Sequence, residues 1–72
     1  MNKKTIGINA GIVWKLLNDY QKWDIPMLSQ ASGLSEKELY AAIGWLAREN
    51  KIEIDTPEES NEQFYLVIEY YF

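Results

Sequence analysis

The stretch that decides the fold is residues 25–35, Ile-Pro-Met-Leu-Ser-Gln-Ala-Ser-Gly-Leu-Ser. Pro26 suits the first turn of a helix, because the N–H group that proline lacks has no helical partner there. Gly33 ends that helix, since glycine readily adopts the left-handed conformation that a helix C-terminus often needs. The stretch therefore predicts a short helix and a tight turn, with Leu34 as an apolar residue after the turn.

The next helix opens with Ser35-Glu36-Lys37-Glu38, which has the form of a capping box. In this motif the serine hydroxyl accepts a hydrogen bond from the glutamate amide, and the glutamate carboxylate accepts one from the serine amide. The helix is predicted over about residues 36–49, with Asn50 at its C-terminal cap. Its core face consists of Leu39, Ala42, Ile43 and Leu46. Two helices joined by a glycine-containing turn form a helix-turn-helix.

A further helix is predicted before this motif. Asn9 can cap it, and apolar residues follow at helical spacing. These residues are Ile12, Val13, Leu16, Leu17 and Tyr20. Residues 23–25 then form a short extended stretch that leads into the motif.

After residue 50 the pattern changes to a period of two, which is typical of a half-buried strand. Ile52 and Ile54 alternate there with Glu53 and Asp55, and a polar loop follows over residues 56–62. The core face of the next strand consists of Phe64, Leu66, Ile68, Tyr70 and Phe72. The predicted fold is mainly α (α+β): a winged helix-turn-helix with three helices and a small antiparallel β-hairpin wing, in a single domain over residues 1–72.

Two segments resemble bacterial winged-helix regulators. One is the stretch 25–35, and the other is Leu46-Ala47-Arg48-Glu49-Asn50-Lys51-Ile52, where glycine more commonly stands at position 50. More narrowly, residues 42–49, Ala-Ile-Gly-Trp-Leu-Ala-Arg-Glu, resemble a small bacterial winged helix-turn-helix family of unknown function. The resemblance implies the fold and leaves the function open, because winged helices bind DNA, RNA or proteins.

The composition argues against enzymatic chemistry. The 72 residues include no histidine and no cysteine, which removes disulfides, thiolate nucleophiles and the usual zinc ligands. Carboxylates, lysine or tyrosine would then have to act in a deep pocket, for which a domain this small has little room. We expect no enzyme activity, no metal and no cofactor. We also expect a cytoplasmic protein without a membrane span, since no apolar run approaches roughly 18 residues.

The net charge of −4 is unevenly distributed along the chain. Residues 1–24 carry a net charge of +2, residues 25–51 a net charge of zero, and residues 52–72 a net charge of −6. The predicted wing carries the acidic residues Asp55, Glu58, Glu59 and Glu62. These four lack the glycine and the spacing of a calcium loop, so a solvated loop is the better interpretation than a metal site.

The outward face of the third helix is the candidate nucleic-acid interface. At about 100° per residue, it carries Lys37, Ala41, Gly44 and Arg48, with Trp45 beside them. In a DNA-reading winged helix the basic residues could contact phosphates or guanines, and the small residues would permit close approach. The alternative interpretation is a solvated helix face with two ordinary basic residues.

Two functions remain open for this fold. A duplex DNA-binding module for transcription regulation is favoured by the fold, and a protein-interaction module is favoured by the acidic wing. Wings that contact nucleic acid usually bring lysine or arginine to the phosphates, because counterion release supplies most of the non-specific affinity. We rank DNA binding first by a narrow margin.

A homodimer interface is predicted from apolar residues without an evident place in the core. Trp14 and Trp45 lie off the apolar stripes of their helices, although each could pack under a neighbouring loop. Tyr65, Val67 and Tyr71 make the second face of the last strand apolar as well. Such patches usually mark interfaces, and two-fold dimers are the commonest solution. In the competing interpretation, residues 5–8 cover part of this strand.

Overall fold

The computed structural model describes residues 1–19, 21–58 and 61–67. The elements in chain order are α1 (Lys3–Leu16), a 3₁₀ turn (Leu17–Asp19), β1 (Trp23–Asp24), α2 (Ile25–Ser32), α3 (Glu36–Arg48), β2 (Ile52–Asp55) and β3 (Gln63–Leu66). The strands form an antiparallel sheet in the order β1-β3-β2, so β3 is central. The predicted fold class is confirmed, and β1 adds a third strand to the hairpin.

The first helix begins earlier than the sequence pattern predicts. Asn2, and not Asn9, is its N-terminal cap, because the Asn2 side chain accepts a hydrogen bond from the Thr5 amide at 2.8 Å. Asn9 instead lies within α1 and is only 6% exposed. Residues 5–8, considered above as a cover for the last strand, are therefore helical, and Ile8 is exposed.

The buried face of α1 also differs from the predicted one. Val13 and Leu17 are fully buried and Leu16 is half-buried, as predicted, but Ile12 is 38% exposed. Ala10 takes its place in the core, because positions 10, 13 and 17 share one side of a helix while position 12 lies about 100° away from position 13. Tyr20 lies outside the described residues.

The turn between α2 and α3 is held by local hydrogen bonds. Gly33 has a φ of 76°, in the left-handed region, and its amide donates to the Ser29 carbonyl at 2.9 Å. The Ser29 hydroxyl donates to the Leu34 carbonyl at 2.9 Å and so ties the turn to α2. Asp24, which the sequence pattern did not predict as a cap, caps α2 by accepting a hydrogen bond from the Met27 amide at 2.9 Å. The predicted helix-turn-helix is therefore present.

Both ends of α3 are fixed by the residues around them. The Ser35–Glu38 capping box is complete, with hydrogen bonds of 3.0 and 3.2 Å. At the other end Glu49 is the cap, so the prediction of Asn50 was wrong by one residue. Asn50 does adopt the left-handed conformation, with a φ of 58°, and the Lys51 amide donates back to the Leu46 carbonyl at 3.0 Å. This is the hydrogen-bond pattern of a Schellman motif.

One core joins the helices to the sheet. All four predicted core residues of α3 are buried in it, together with Ile52, Phe64 and Leu66 of the hairpin. Ile54 was predicted to be buried but is 45% exposed. It lies on the same strand as the buried Ile52, but two residues nearer to the loop, where it pairs with Phe64. The remaining predicted core residues of the last strand lie outside the described residues: Ile68, Tyr70 and Phe72. In the ranges described, no helix is long and apolar enough to cross a membrane.

Candidate binding surfaces around the third helix

The outer face of α3 carries the four residues predicted to contact nucleic acid. Lys37, Gly44 and Arg48 are exposed and Ala41 is half-buried. A Cβ atom on Gly44 would meet no atom within 4 Å, so the packing of the described residues does not require a glycine there. The two cations lie at opposite ends of this face, roughly 16 Å apart along the helix axis at 1.5 Å per residue.

One side of α3 packs against α1 and forms an aromatic groove with a volume of about 290 Å³. Trp14 and Trp45 both line this groove and are 43% and 40% exposed. The α1 side of the groove presents little side-chain bulk, because two of its lining residues, Gly7 and Gly11, carry no side chains. A Cβ atom on Gly7 would lie 3.7 Å from Cζ2 of the Trp45 indole. The structure thus brings together two tryptophans that are far apart in the sequence.

The rim of the aromatic groove connects it to the end of β3. The Lys51 Nζ atom lies 5.0 Å from the centroid of the Trp14 ring, within cation–π distance. The Lys51 carbonyl accepts a hydrogen bond from the Val67 amide at 3.0 Å. Three of the predicted interface residues, Trp14, Trp45 and Val67, are therefore linked through Lys51 and the groove.

The other predicted interface residues are placed differently. Tyr65 is half-buried on β3, and its ring centroid lies 5.4 Å from the Nζ atom of Lys22. It therefore already has a cationic neighbour within the chain. Tyr71 lies outside the described residues.

On the other side of α3, an acidic cleft of about 430 Å³ lies between the N-terminal ends of α2 and α3 and the loop that precedes β3. Its lining consists of Ile25, Pro26, Glu36, Tyr40, Asn61 and Glu62. Among these described residues two are carboxylates and none is basic. Glu36 and Tyr40 are four positions apart and so lie on one side of α3. The sequence pattern did not predict this site, although the acidic loop over residues 56–62 was a signal for it.

The charge of the hairpin is partly balanced within the chain. Lys22, which precedes β1, contacts the Asp55 carboxylate at 2.7 Å, and this hydrogen bond and charge raise the pKa of Lys22. Asp55 is thus an ion-pair partner and not a free wing carboxylate. Glu58 and Glu62 form no ion pair within the described part of the chain. Glu59 lies outside the described residues.

The capping box also places a carboxylate between α3 and α1. Hydrogen bonds from the Ser35 amide and hydroxyl hold the pKa of Glu38 below its ordinary value. The buried Asn9 amide lies close to Glu38, although its Nδ2 atom reaches no acceptor among the described residues. Across the three described ranges, no three acidic side chains lie close enough together to hold a metal ion.

The fold and the sequence agree with a known family. The family described as "Winged helix-turn-helix domain (DUF2582)" matches residues 1–67. The chain belongs to this family. The resemblance of residues 42–49 to a small bacterial winged helix-turn-helix family is therefore confirmed.

A solved structure supports the same classification. The chain is similar to protein BT2368 from Bacteroides thetaiotaomicron, whose structure was determined by solution NMR. The two are 41% identical with a TM-score of 0.81, and the match covers 92% of this chain and 79% of that chain. Comparison with curated proteins finds no match.

Winged helices that bind DNA provide a frame for comparing the surfaces around α3. In a winged helix that reads DNA, the third helix enters the major groove and the hairpin flanks it. The acidic cleft lies between these two elements in this domain. Glu36 and Glu62 therefore lie between the start of the third helix and the loop of the hairpin.

Proposed function

We propose that this winged-helix domain is a protein-interaction module, and neither a reader of duplex DNA nor an enzyme. The observation that carries the proposal is the acidic cleft, whose described lining contains Glu36 and Glu62 and no basic residue. A phosphate there would meet charges of its own sign. Two like charges about 4 Å apart repel by about 1 kcal/mol in bulk water and by about 4 kcal/mol near a protein surface.

The N-terminal ends of α2 and α3 do not reverse this balance. Each helix N-terminus carries roughly half a positive elementary charge, which favours anions. However, the caps already use the nearby amides: Asp24 accepts from Met27, and Ser35 accepts from Glu38. Two full carboxylates therefore outweigh two partial charges, and the cleft favours a cation.

DNA binding is the second candidate function, and the outer face of α3 favours it. Lys37 and Arg48 are exposed there, and Gly44 leaves space for close approach. Each phosphate contact contributes a slope of about −0.9 to the dependence of log K on log salt. Two cations would therefore give a slope of about −2, which is small for a DNA-binding protein. This is why we now rank DNA binding second.

Fluorescence anisotropy with labelled duplex DNA at about 50 mM salt, where phosphate contacts are strong, tests the ranking. We expect no binding by the parent protein. The Glu58→Lys variant is the positive comparison. If the hairpin lies near the DNA backbone, replacing this carboxylate by a cation should make the domain bind DNA more tightly. Binding by the parent that is lost in Arg48→Ala would contradict the proposal and restore the DNA-binding function.

Self-association through the aromatic groove is the second part of the proposal. Trp14 and Trp45 expose a shared apolar surface, and exposed tryptophans are favoured anchors of interfaces. Val67 is tied to the rim of the same groove by its hydrogen bond to Lys51. These contacts support a homodimer with the C-terminal strand beside the interface.

A further inference from the structure

The acidic cleft combines three kinds of surface in one volume of about 430 Å³. Ile25 and Pro26 supply an apolar patch, and Tyr40, which is 45% exposed, supplies an aromatic ring. Glu36 and Glu62 supply two negative charges. The cleft lies near the lower end of the size range of ligand pockets, so it suits one or two side chains and not a whole helix.

We propose that the cleft binds an arginine side chain carried by a basic segment of a partner protein. This inference rests on the proposed protein-binding function and names the chemistry of the partner. Arginine has an apolar stem that packs on surfaces such as Ile25 and Pro26. Its planar guanidinium stacks on aromatic rings and donates up to five hydrogen bonds to carboxylates, whereas lysine presents only a compact point charge.

The positions of the lining residues fit a guanidinium group. Glu36 and Tyr40 are separated by about 6 Å along the axis of α3 and lie on the same side of it. A guanidinium stacked on the Tyr40 ring is therefore within reach of the Glu36 carboxylate. Glu62 lines the same cleft from the loop before β3. The Asn61 amide, also in the lining, can bind the backbone of the partner segment.

Charge complementarity selects a cation, because the cleft has no counterion of its own in the described chain. Lys22 is already paired with Asp55 at 2.7 Å. Lys37 follows Glu36 directly, but successive residues on a helix point about 100° apart, so its side chain belongs to the outer face of α3. An incoming arginine therefore supplies the charge that the lining residues lack.

The test uses the full chain and three fluorescein-labelled peptides of equal length. The first is Gly-Arg-Gly-Arg-Gly-Ser, the second has lysine at both arginine positions, and the third has the neutral isostere citrulline. We expect the arginine peptide to bind at least tenfold more tightly than the citrulline peptide and several-fold more tightly than the lysine peptide, in anisotropy titrations at low salt. Equal binding of the arginine and citrulline peptides would overturn the inference.

Variants locate the binding in the cleft. Glu36→Gln combined with Glu62→Gln should weaken binding of the arginine peptide at least tenfold, and Tyr40→Ala should weaken it several-fold. Glu49→Gln combined with Glu53→Gln is the matched charge control, because it also removes two exposed carboxylates and neither of them lines the cleft. These residues are exposed, so thermal melting should show that each variant remains folded. An effect of this control as large as that of Glu36→Gln with Glu62→Gln would also overturn the inference.

The outcomes distinguish this inference from the proposal on which it rests. If the arginine peptide shows no preference and duplex DNA is not bound either, the inference fails while protein binding stands. If the parent binds duplex DNA through Arg48, the proposed function fails. Loss of the arginine preference in Tyr40→Phe as well as in Tyr40→Ala would mean that the hydroxyl and not the ring binds the ligand, which would contradict stacking.

Discussion

The two sides of α3 differ in chemistry although they belong to one helix of 13 residues. Trp45 on the α1 side and Tyr40 on the hairpin side are almost equally exposed, at 40% and 45%. Trp45 shares its groove with Glu49 and Lys51, whose charges cancel, whereas Tyr40 shares its cleft with two carboxylates, Glu36 and Glu62. Exposure alone therefore does not identify what binds an aromatic ring. The charges around the ring decide which partner can cover it.

The difference has its origin in the elements that line each side. The α1 residues of the aromatic groove are uncharged, and Glu49 and Lys51 at this groove carry opposite charges. The last 21 residues of the chain carry a net charge of −6, and one of their carboxylates, Glu62, lines the acidic cleft together with Glu36. Four predictions test whether the two sides are independent.

The largest expected effect on stability comes from Leu46, a core residue that holds α3 in place. Leu46 is 3% exposed, belongs to the core and also lines the aromatic groove. We expect Leu46→Ala to lower the free energy of unfolding by roughly 2–5 kcal/mol through the cavity it leaves. Urea denaturation measures this. Ile54→Ala is the control, since Ile54 is 45% exposed and should lose far less. Equal losses would contradict the packing of α3.

The two sides of α3 should differ in their effect on self-association. We expect Trp45→Ala to weaken the proposed homodimer at least tenfold, which corresponds to about 1.4 kcal/mol, because it removes an anchor of the aromatic groove. Tyr40→Ala, an aromatic truncation of similar exposure on the opposite side, should leave dimerisation unchanged. Sedimentation equilibrium at several protein concentrations measures both. A strictly monomeric parent at high concentration would refute the dimer.

The capping box of Ser35 and Glu38 fixes the start of α3, the helix that carries both binding surfaces. Ser35→Ala should destabilise the domain by about 1 kcal/mol at neutral pH through loss of the helix cap. The pKa of Glu38 is lowered in the folded state, so its contribution is present above the ordinary value of 4.5 and is lost as the pH falls through the folded-state pKa. Ser35→Ala keeps the Ser35 amide, which donates to the Glu38 carboxylate, so we expect the acid-dependent loss in a Glu38→Gln variant: its stability difference from the parent should shrink in acid. Denaturation at pH 7 and pH 3 checks this, and a constant difference would rule out the coupling.

The smallest expected effect is on the outer face, between the two sides. Gly44→Ala should stabilise the domain by roughly 0.5–1 kcal/mol, because alanine loses less conformational entropy in a helix. The added Cβ meets no atom within 4 Å in the described structure. Thermal melting measures the gain. Dimerisation and peptide binding should not change, and a loss of either would mean that the partner contacts the outer face.

Local features could be predicted from the sequence because they depend on close neighbours. The turn at Gly33, the box of Ser35 and Glu38, and the left-handed Asn50 each involve hydrogen bonds or backbone angles within a few residues. The core face of α3 followed from helical spacing alone. The start of α1 did not, because both Asn2 and Asn9 are good caps and only the packing of α1 decides between them.

The sequence by itself determined the winged-helix fold, since helix caps, glycine turns and apolar periodicity are local or periodic signals. Only the tertiary structure decided which exposed residues share a surface. It placed Trp14 beside Trp45, paired Lys22 with Asp55 across 33 positions, and left Ile54 exposed on an edge strand. Such contacts depend on how whole elements pack, and a periodic pattern holds no information on the distance between two elements. The same reason explains why the acidic cleft, formed by α2, α3 and the hairpin loop together, became visible only in the folded chain.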